Sequence, residues 1–129
     1  MKNEKLKSFK AGSRIISHGE DAQFAYLVLK GSVEAFLERD GKIVKLGELG
    51  IGDVFGETAL FGGESYGANV DATEDTEVAL ISPQSFAGKI DSADPMLKAI
   101  IQMLLDRLRK TNEALLNSET REFMDIALV

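Results

Sequence analysis

The chain has 129 residues, 44% of them hydrophobic, with 15 Lys and Arg against 21 Asp and Glu for a net charge of −6. That length fits one domain with its own core. The absence of cysteine excludes disulfide frameworks, thiolate metal sites and a cysteine nucleophile, and the acidic balance speaks against direct nucleic-acid binding, which rests on clustered Lys and Arg.

Lys2, Lys5, Lys7, Lys10 and Arg14 break up the start of the chain, so no apolar signal core is found there. No apolar run approaches a bilayer span. The expectation is a cytoplasmic location without a membrane partner. Met1 to about Phe9 is a polar, lysine-rich stretch, a short helix or strand. From about residue 10 to 82 short apolar alternations are broken by Gly, Asp and Asn, which predicts many short strands. Phe24, Tyr26 and Val28 alternate with Ala25, Leu27 and Leu29 in a run that is apolar on both faces, as in a strand deep in a barrel or sandwich. Gly31-Ser32 turns this run into Val33 to Glu38. Asp40-Gly41 between that strand and Ile43 to Leu46 is a hairpin signal, with positive-φ residue types in the turn. Val70 to Glu74 and Thr76 to Ile81 flank another tight turn at Glu74-Asp75. About eight strands with turns this frequent predict a jelly roll or small barrel.

The remainder, about 83–127, reads as helix. Pro83 begins a short helix through Phe86 to about Ile90. Asp94 caps a long one with Pro95 at its first position, where a missing N–H costs nothing. Leu97, Ile101, Leu104, Leu105, Leu108, Leu115, Leu116, Phe123 and Ile126 recur at helical spacing, a rod of roughly 45 Å at about 1.5 Å per residue. The fold class is therefore mainly β with α: a double-stranded β-helix (jelly-roll) barrel with short helices and a long C-terminal helix, in one domain over 1–129. The expected core is Ile15, Tyr26, Leu27, Val33, Phe36, Phe55, Leu60, Val70, Val78, Leu80 and Phe86.

The run Gly47-Glu-Leu-Gly-Ile-Gly-Asp-Val-Phe-Gly-Glu-Thr-Ala-Leu60, continuing through Tyr66-Gly-Ala-Asn-Val-Asp-Ala72, resembles the phosphate-binding cassette of the cyclic nucleotide-binding domain family. In that family a strand ending in Phe-Gly-Glu leads into one helical turn, and a loop then carries Arg, a small residue and Ala. Phe55-Gly56-Glu57, Ala59-Leu60 and Gly67-Ala68 match. Gly12, Ile15-Ile16, Gly19-Glu20-Asp21-Ala22, Tyr26, Gly31 and Val33 resemble the family's opening pattern, and Phe86, Pro95 and Arg107-Leu108-Arg109 its closing helices. The resemblance implies a non-enzymatic sensor of cAMP or cGMP acting through its C-terminal helix. It further implies that Gly56, Glu57, Thr58, Ala59, Tyr66, Gly67 and Ala68 line the site. Glu57 would accept the ribose 2′-hydroxyl, Gly56 would let the backbone approach the sugar, and the N–H groups of Gly67 and Ala68 would meet the phosphate at the amino end of the turn. The plain alternative is that Gly56 and Glu57 hold the turn's shape, with the Glu57 carboxylate capping the N–H groups of Thr58 to Leu60.

Tyr66 stands where the family places its arginine. A phenol offers one neutral donor in place of a bidentate, charged clamp. Charged hydrogen bonds contribute about 1.5–3 kcal/mol each, so the change costs roughly two to three decades of affinity. Glu64 adds a negative charge nearby. Either a cation among Arg14, Lys30, Lys42 and Lys45 swings in, or the Tyr66 ring fills the space. No cofactor is expected, and a cyclic nucleotide or other small anion is at most a weak ligand. Thr111 and Asn112 fall where the family's helix reaches the purine base; a Thr-Asn pair in a helix seam also fixes register between paired helices.

His18 is the only histidine, so a transition-metal site and a catalytic triad lack their parts. It reads as a surface turn residue, and no enzyme reading survives. Two function classes stay open: a ligand-responsive regulatory module, or a ligand-free module that dimerises or docks. Relatives in the catabolite activator branch carry a helix-turn-helix domain after the sensor, so the chain is either a stand-alone sensor or part of a longer transcription regulator. Ile101, Leu105, Leu108, Asn112, Leu115, Glu119 and Phe123 follow steps of four and three, which predicts a homodimer through the long helix.

Overall fold

The computed structural model describes residues 5–60 and 63–116, and of residues 109 and 112–116 the backbone only. Two antiparallel four-stranded sheets face each other, one in the order β1-β8-β3-β6 and the other β2-β7-β4-β5. Their strands are β1 (Lys5–Phe9), β2 (Arg14–Ile16), β3 (Ala25–Lys30), β4 (Val33–Arg39), β5 (Lys42–Leu49), β6 (Val54–Phe55), β7 (Asn69–Ala72) and β8 (Thr76–Ile81). The jelly-roll expectation holds, although the sheet begins before residue 10: β1 pairs with β8 from Lys5↔Leu80 to Phe9↔Thr76.

Asp40-Gly41 forms the predicted two-residue hairpin. Both residues have positive φ, 52° and 75°, and Arg39 pairs directly with Lys42. That backbone matches the right-handed twist of the flanking strands. The other two expected turns are not hairpins. Gly31-Ser32 carries the chain from β3 to β4, and Thr73 to Asp75 carries it from β7 to β8, each time from one sheet to the other. Local sequence cannot tell a hairpin from such a crossing, because both need the same turn residues. The two crossings lie against each other. Buried Thr76 donates its hydroxyl to the carbonyls of Ser32 (3.0 Å) and Glu74 (2.8 Å), and the Thr73 N–H donates to Ser32 O (3.0 Å).

The core lies between the sheets and is built from Ile15, Ile16, Tyr26, Val28, Val33, Ala35, Phe55, Tyr66, Val70, Ala72 and Val78. Phe36 is also buried. Leu27, Leu60, Leu80 and Phe86, expected in the core, are only half-buried. Leu27 follows Tyr26 and precedes Val28, both buried, so strand alternation turns it to the other face of β3, and Phe86 lies on a helix outside the two sheets.

Two helices close the described chain. α1 (Pro83–Asp91) starts at Ser82, whose hydroxyl accepts the Ser85 N–H at 3.0 Å, with Pro83 at its first position. α2 (Pro95–Leu116) spans 22 residues, about 33 Å at the α-helical rise. Asp94 caps it as expected, its carboxylate accepting the N–H of Met96 at 2.9 Å. The apolar positions on this helix divide differently from the expected stripe. Ile101, Leu105 and Leu108 are half-buried, with Leu105 in a groove beside Phe86 and Ile90. Met96, Leu97, Ile100, Met103 and Leu104 are the exposed ones, Met96 at 73% and Leu104 at 54%. Glu119, Phe123 and Ile126, and the side chains of Asn112, Leu115 and Leu116, lie outside the described residues. Among the described residues no helix is long and apolar enough to cross a membrane.

Candidate functional site

The short strand β6 ends at Phe55, whose ring stacks on Tyr26 of β3 at 4.9 Å between centroids. Gly56 follows with φ +71°, a conformation that side chains with a Cβ rarely adopt. It turns the chain into a single 3₁₀ turn, Glu57–Leu60. A Cβ at Gly56 would lie 3.1 Å from Tyr66 Cε1, 3.2 Å from the Phe24 carbonyl oxygen and 3.3 Å from Tyr26 Cδ2. The glycine is therefore required twice, by its dihedral and by the two rings pressed against it.

Glu57 does not cap the turn. The Ala59 N–H donates to the Gly56 carbonyl at 3.3 Å, while Glu57 Oε2 is buried without a hydrogen-bond partner, as is Thr58 Oγ1 on the next residue. Burial pushes the Glu57 carboxyl up to about 7, against a smaller opposing effect of its own backbone N–H. Two unpaired polar atoms on one buried turn are unusual, because buried polar groups are nearly always hydrogen-bonded. They give the turn an unused capacity to bind a hydroxylated group. Thr58 and Ala59 are buried, the latter packed beneath the turn.

Tyr66 is 3% exposed and belongs to the core. Its hydroxyl donates to the Phe24 carbonyl at 2.6 Å and accepts the Phe24 N–H at 3.2 Å. Its backbone is held as well: the Tyr66 N–H donates to Glu20 O (3.0 Å), its carbonyl accepts the Gly19 N–H (2.9 Å), and Asp21 bridges Ser65. Gly67 is half-buried and Ala68 fully buried, leading straight into β7. Phe24 and Tyr26 thus adjoin the turn; Tyr26 was expected in the core, whereas Phe24 was not singled out for the site. Phe24 contributes through its backbone, which carries no sequence signal. Burial, with Tyr66 and Glu20 nearby, raises the Tyr26 phenol well above its ordinary value.

The cations considered as substitutes for arginine are differently placed. Arg14 pairs with Asp71, donates to Asn69 Oδ1 at 3.1 Å and stacks over Phe36. Lys45 pairs with Glu48 at 3.2 Å and Glu34 at 3.5 Å. Lys42 is exposed in the Asp40-Gly41 hairpin, and Lys30 lines a separate groove with Lys10 and Asp75. His18 is exposed in the β2–β3 loop, its N–H donating to Asn69 Oδ1 at 2.8 Å. Thr111, on α2, is exposed, and its hydroxyl donates to the Arg107 carbonyl one turn back at 2.9 Å.

Residues 6–93, from β1 through both sheets and α1, match the family model described as "Cyclic nucleotide-binding domain". The chain is 35% identical over 124 residues to the cAMP-activated global transcriptional regulator CRP of Haemophilus influenzae, covering 95% of this chain and 54% of that protein. It is 33% identical over 128 residues to the regulator Vfr of Pseudomonas aeruginosa, covering 95% and 56%. The chain spans about half the length of these curated relatives. Among solved structures, the half-site-occupied form of the EAL enzyme Bd1971 superposes with a TM-score of 0.81 at 31% identity, covering 84% of this chain and 98% of that one. Catabolite activator protein of Thermus thermophilus gives 0.69 at 29% identity, covering 87% and 53%. With the Phe-Gly-Glu turn, the glycine order and the paired sheets all in place, the chain belongs to the cyclic nucleotide-binding domain family.

Proposed function

We propose that the chain is a non-enzymatic regulatory module of the cyclic nucleotide-binding type, with weakened cAMP and cGMP binding, that signals through its C-terminal helix. Gly56, Glu57, Thr58, Ala59, Tyr66, Gly67 and Ala68 form its ligand site. The observation that carries this reading is the pairing of an unsatisfied Glu57–Thr58 turn with a fully satisfied Tyr66. The turn keeps acceptors suited to a sugar hydroxyl. Tyr66 has its one donor committed to Phe24, so it offers a phosphate nothing, and Arg14 and Lys45 are committed to carboxylates. A cyclic phosphate entering here finds Arg14 and Lys45 already paired and must displace the buried Tyr66 ring.

Calorimetry with cAMP and cGMP on the wild type and on Tyr66→Arg tests the reading. Weak or undetectable wild-type binding, with a gain of roughly two decades in the variant, is the expected result. Micromolar or tighter wild-type binding overturns it. The likeness to cAMP-activated transcriptional regulators supports the further reading that the module serves a DNA-binding protein; the acidic charge bears on these 129 residues alone.

A second reading, a dimerisation module, is favoured by the apolar face of α2. Met96, Leu97, Ile100, Met103 and Leu104 stand exposed along one side of a helix whose other side meets the body of the protein. A second copy of the chain, presenting the same stripe, is the occupant that fits it. The two readings are compatible, since a helix that pairs with its copy is also one that can report a ligand.

A further inference from the structure

A cavity of about 430 Å³ opens where the edge strand β1 of one sheet faces the edge strand β2 of the other. The register Lys7↔Val78↔Val28 puts Lys7 on the face of its sheet that carries the core valines, so its side chain turns inward at the open edge. Glu20 and Asp21 line the same cavity, which Phe24 and the buried Tyr26 and Tyr66 bound on the side of the core.

Opposite charges thus line one cavity without meeting. Among the described residues neither Glu20 nor Asp21 forms an ion pair, and the Lys7 ammonium lies over the Phe9 ring instead, 5.1 Å from its centroid. An inward lysine on an edge strand also guards against edge-to-edge pairing. That role does not require two carboxylates lining the same cavity.

We propose that this cavity binds a small zwitterion of the α-amino-acid type, its carboxylate on Lys7 and its ammonium held by Glu20 and Asp21. The volume suits a ligand of that size, and the buried rings of Tyr26 and Tyr66 close it on the side of the core. The site is distinct from the Glu57–Thr58 turn, yet it is joined to the cassette. The loop forming its acidic wall is bonded to the cassette's second limb by Gly19 N–H to Tyr66 O, Tyr66 N–H to Glu20 O and Ala22 N–H to Glu64 O, at 2.9, 3.0 and 3.1 Å. An occupant that moves this wall moves Tyr66, which makes the cavity an effector site for the cassette.

The test is ¹H–¹⁵N NMR titration of the whole chain with each free α-amino acid, beside its N-acetyl and amide forms and beside glucose. At least one free amino acid should shift the amides of Glu20 to Phe24 and Tyr66 saturably. Blocking either charge should weaken binding at least about tenfold, the loss of one charged hydrogen bond. Lys7→Gln should do the same, while the remote exposed Lys42→Gln leaves it unchanged. Exposed Lys7 can be replaced without disturbing the core, and unchanged amide dispersion checks this. The proposal fails if no amino acid shifts these amides at roughly 10 mM, if blocked forms or glucose bind equally well, or if Lys7→Gln binds like the wild type.

Discussion

At position 66 the cassette carries a phenol whose hydroxyl is bonded on both sides, to the N–H and the carbonyl of Phe24. An arginine at position 66 would carry a charge that must find an anion. Tyr66 instead completes its hydrogen bonding on one backbone unit, Phe24, and joins the core. Glu57 is left beside it with a raised pKa, about 7 against an ordinary 4.5. The consequence for stability has a definite sign. Between those values the folded state holds a proton that the unfolded state has lost, so the contribution is full below pH 4.5 and is lost as pH rises through about 7. Urea denaturation of the wild type and Glu57→Gln from pH 4.5 to 8 should therefore show the variant gaining relative stability as pH rises. After discounting for the partial solvent contact of Glu57 the gain is roughly 1–2 kcal/mol. A difference that is flat with pH, or that grows toward acid, would contradict the neutral carboxyl.

At the level of elements, most of the secondary structure was legible and the pairing was not. Asp40-Gly41, Pro83 and Asp94-Pro95 each announced a turn or a helix start, because their mechanism is local: positive φ, a fixed φ without an N–H, or a side-chain oxygen for an orphan N–H. Gly31 announced a turn but not its destination. It has φ +91°, and a Cβ there would come within 2.8 Å of Thr76 Cα in the neighbouring crossing. Gly31→Ala should destabilise the protein by roughly 2–4 kcal/mol, combining left-handed strain with overpacking. Gly12→Ala supplies the control, since it shares a positive φ but has nothing within 4 Å of the added Cβ. Thermal unfolding should rank Gly31→Ala well below Gly12→Ala; equal losses would mean that dihedral strain alone is felt.

For the whole molecule, the open question of assembly rests on α2. Its apolar residues run around more than one side, so steps of three and four could be drawn through Ile101, Leu105 and Leu108 as readily as through Met96, Ile100 and Met103. Packing of α2 beside α1 uses Leu105, which leaves the second set exposed. Light scattering at tens of micromolar should give a dimer mass for the wild type and a monomer mass for Leu104→Glu, with unchanged thermal stability of the barrel. A monomeric wild type, or a dimer indifferent to Leu104→Glu, would end the homodimer reading.

The sequence by itself determined the class of fold, the order of strands and turns, and the identity of the cassette, since glycine positions, strand periodicity and Phe55-Gly56-Glu57 are local properties of the chain. It also placed Tyr66 where the resemblance puts an arginine. Only the tertiary structure decided what Tyr66 does locally. The partner of the Tyr66 hydroxyl is the backbone of Phe24, 42 positions away, and a main-chain carbonyl leaves no mark in residue type. The same holds for Glu57 and Thr58, whose lack of partners depends on everything folded around them, and for the crossings at Gly31 and Thr76, which meet only once the two sheets face each other.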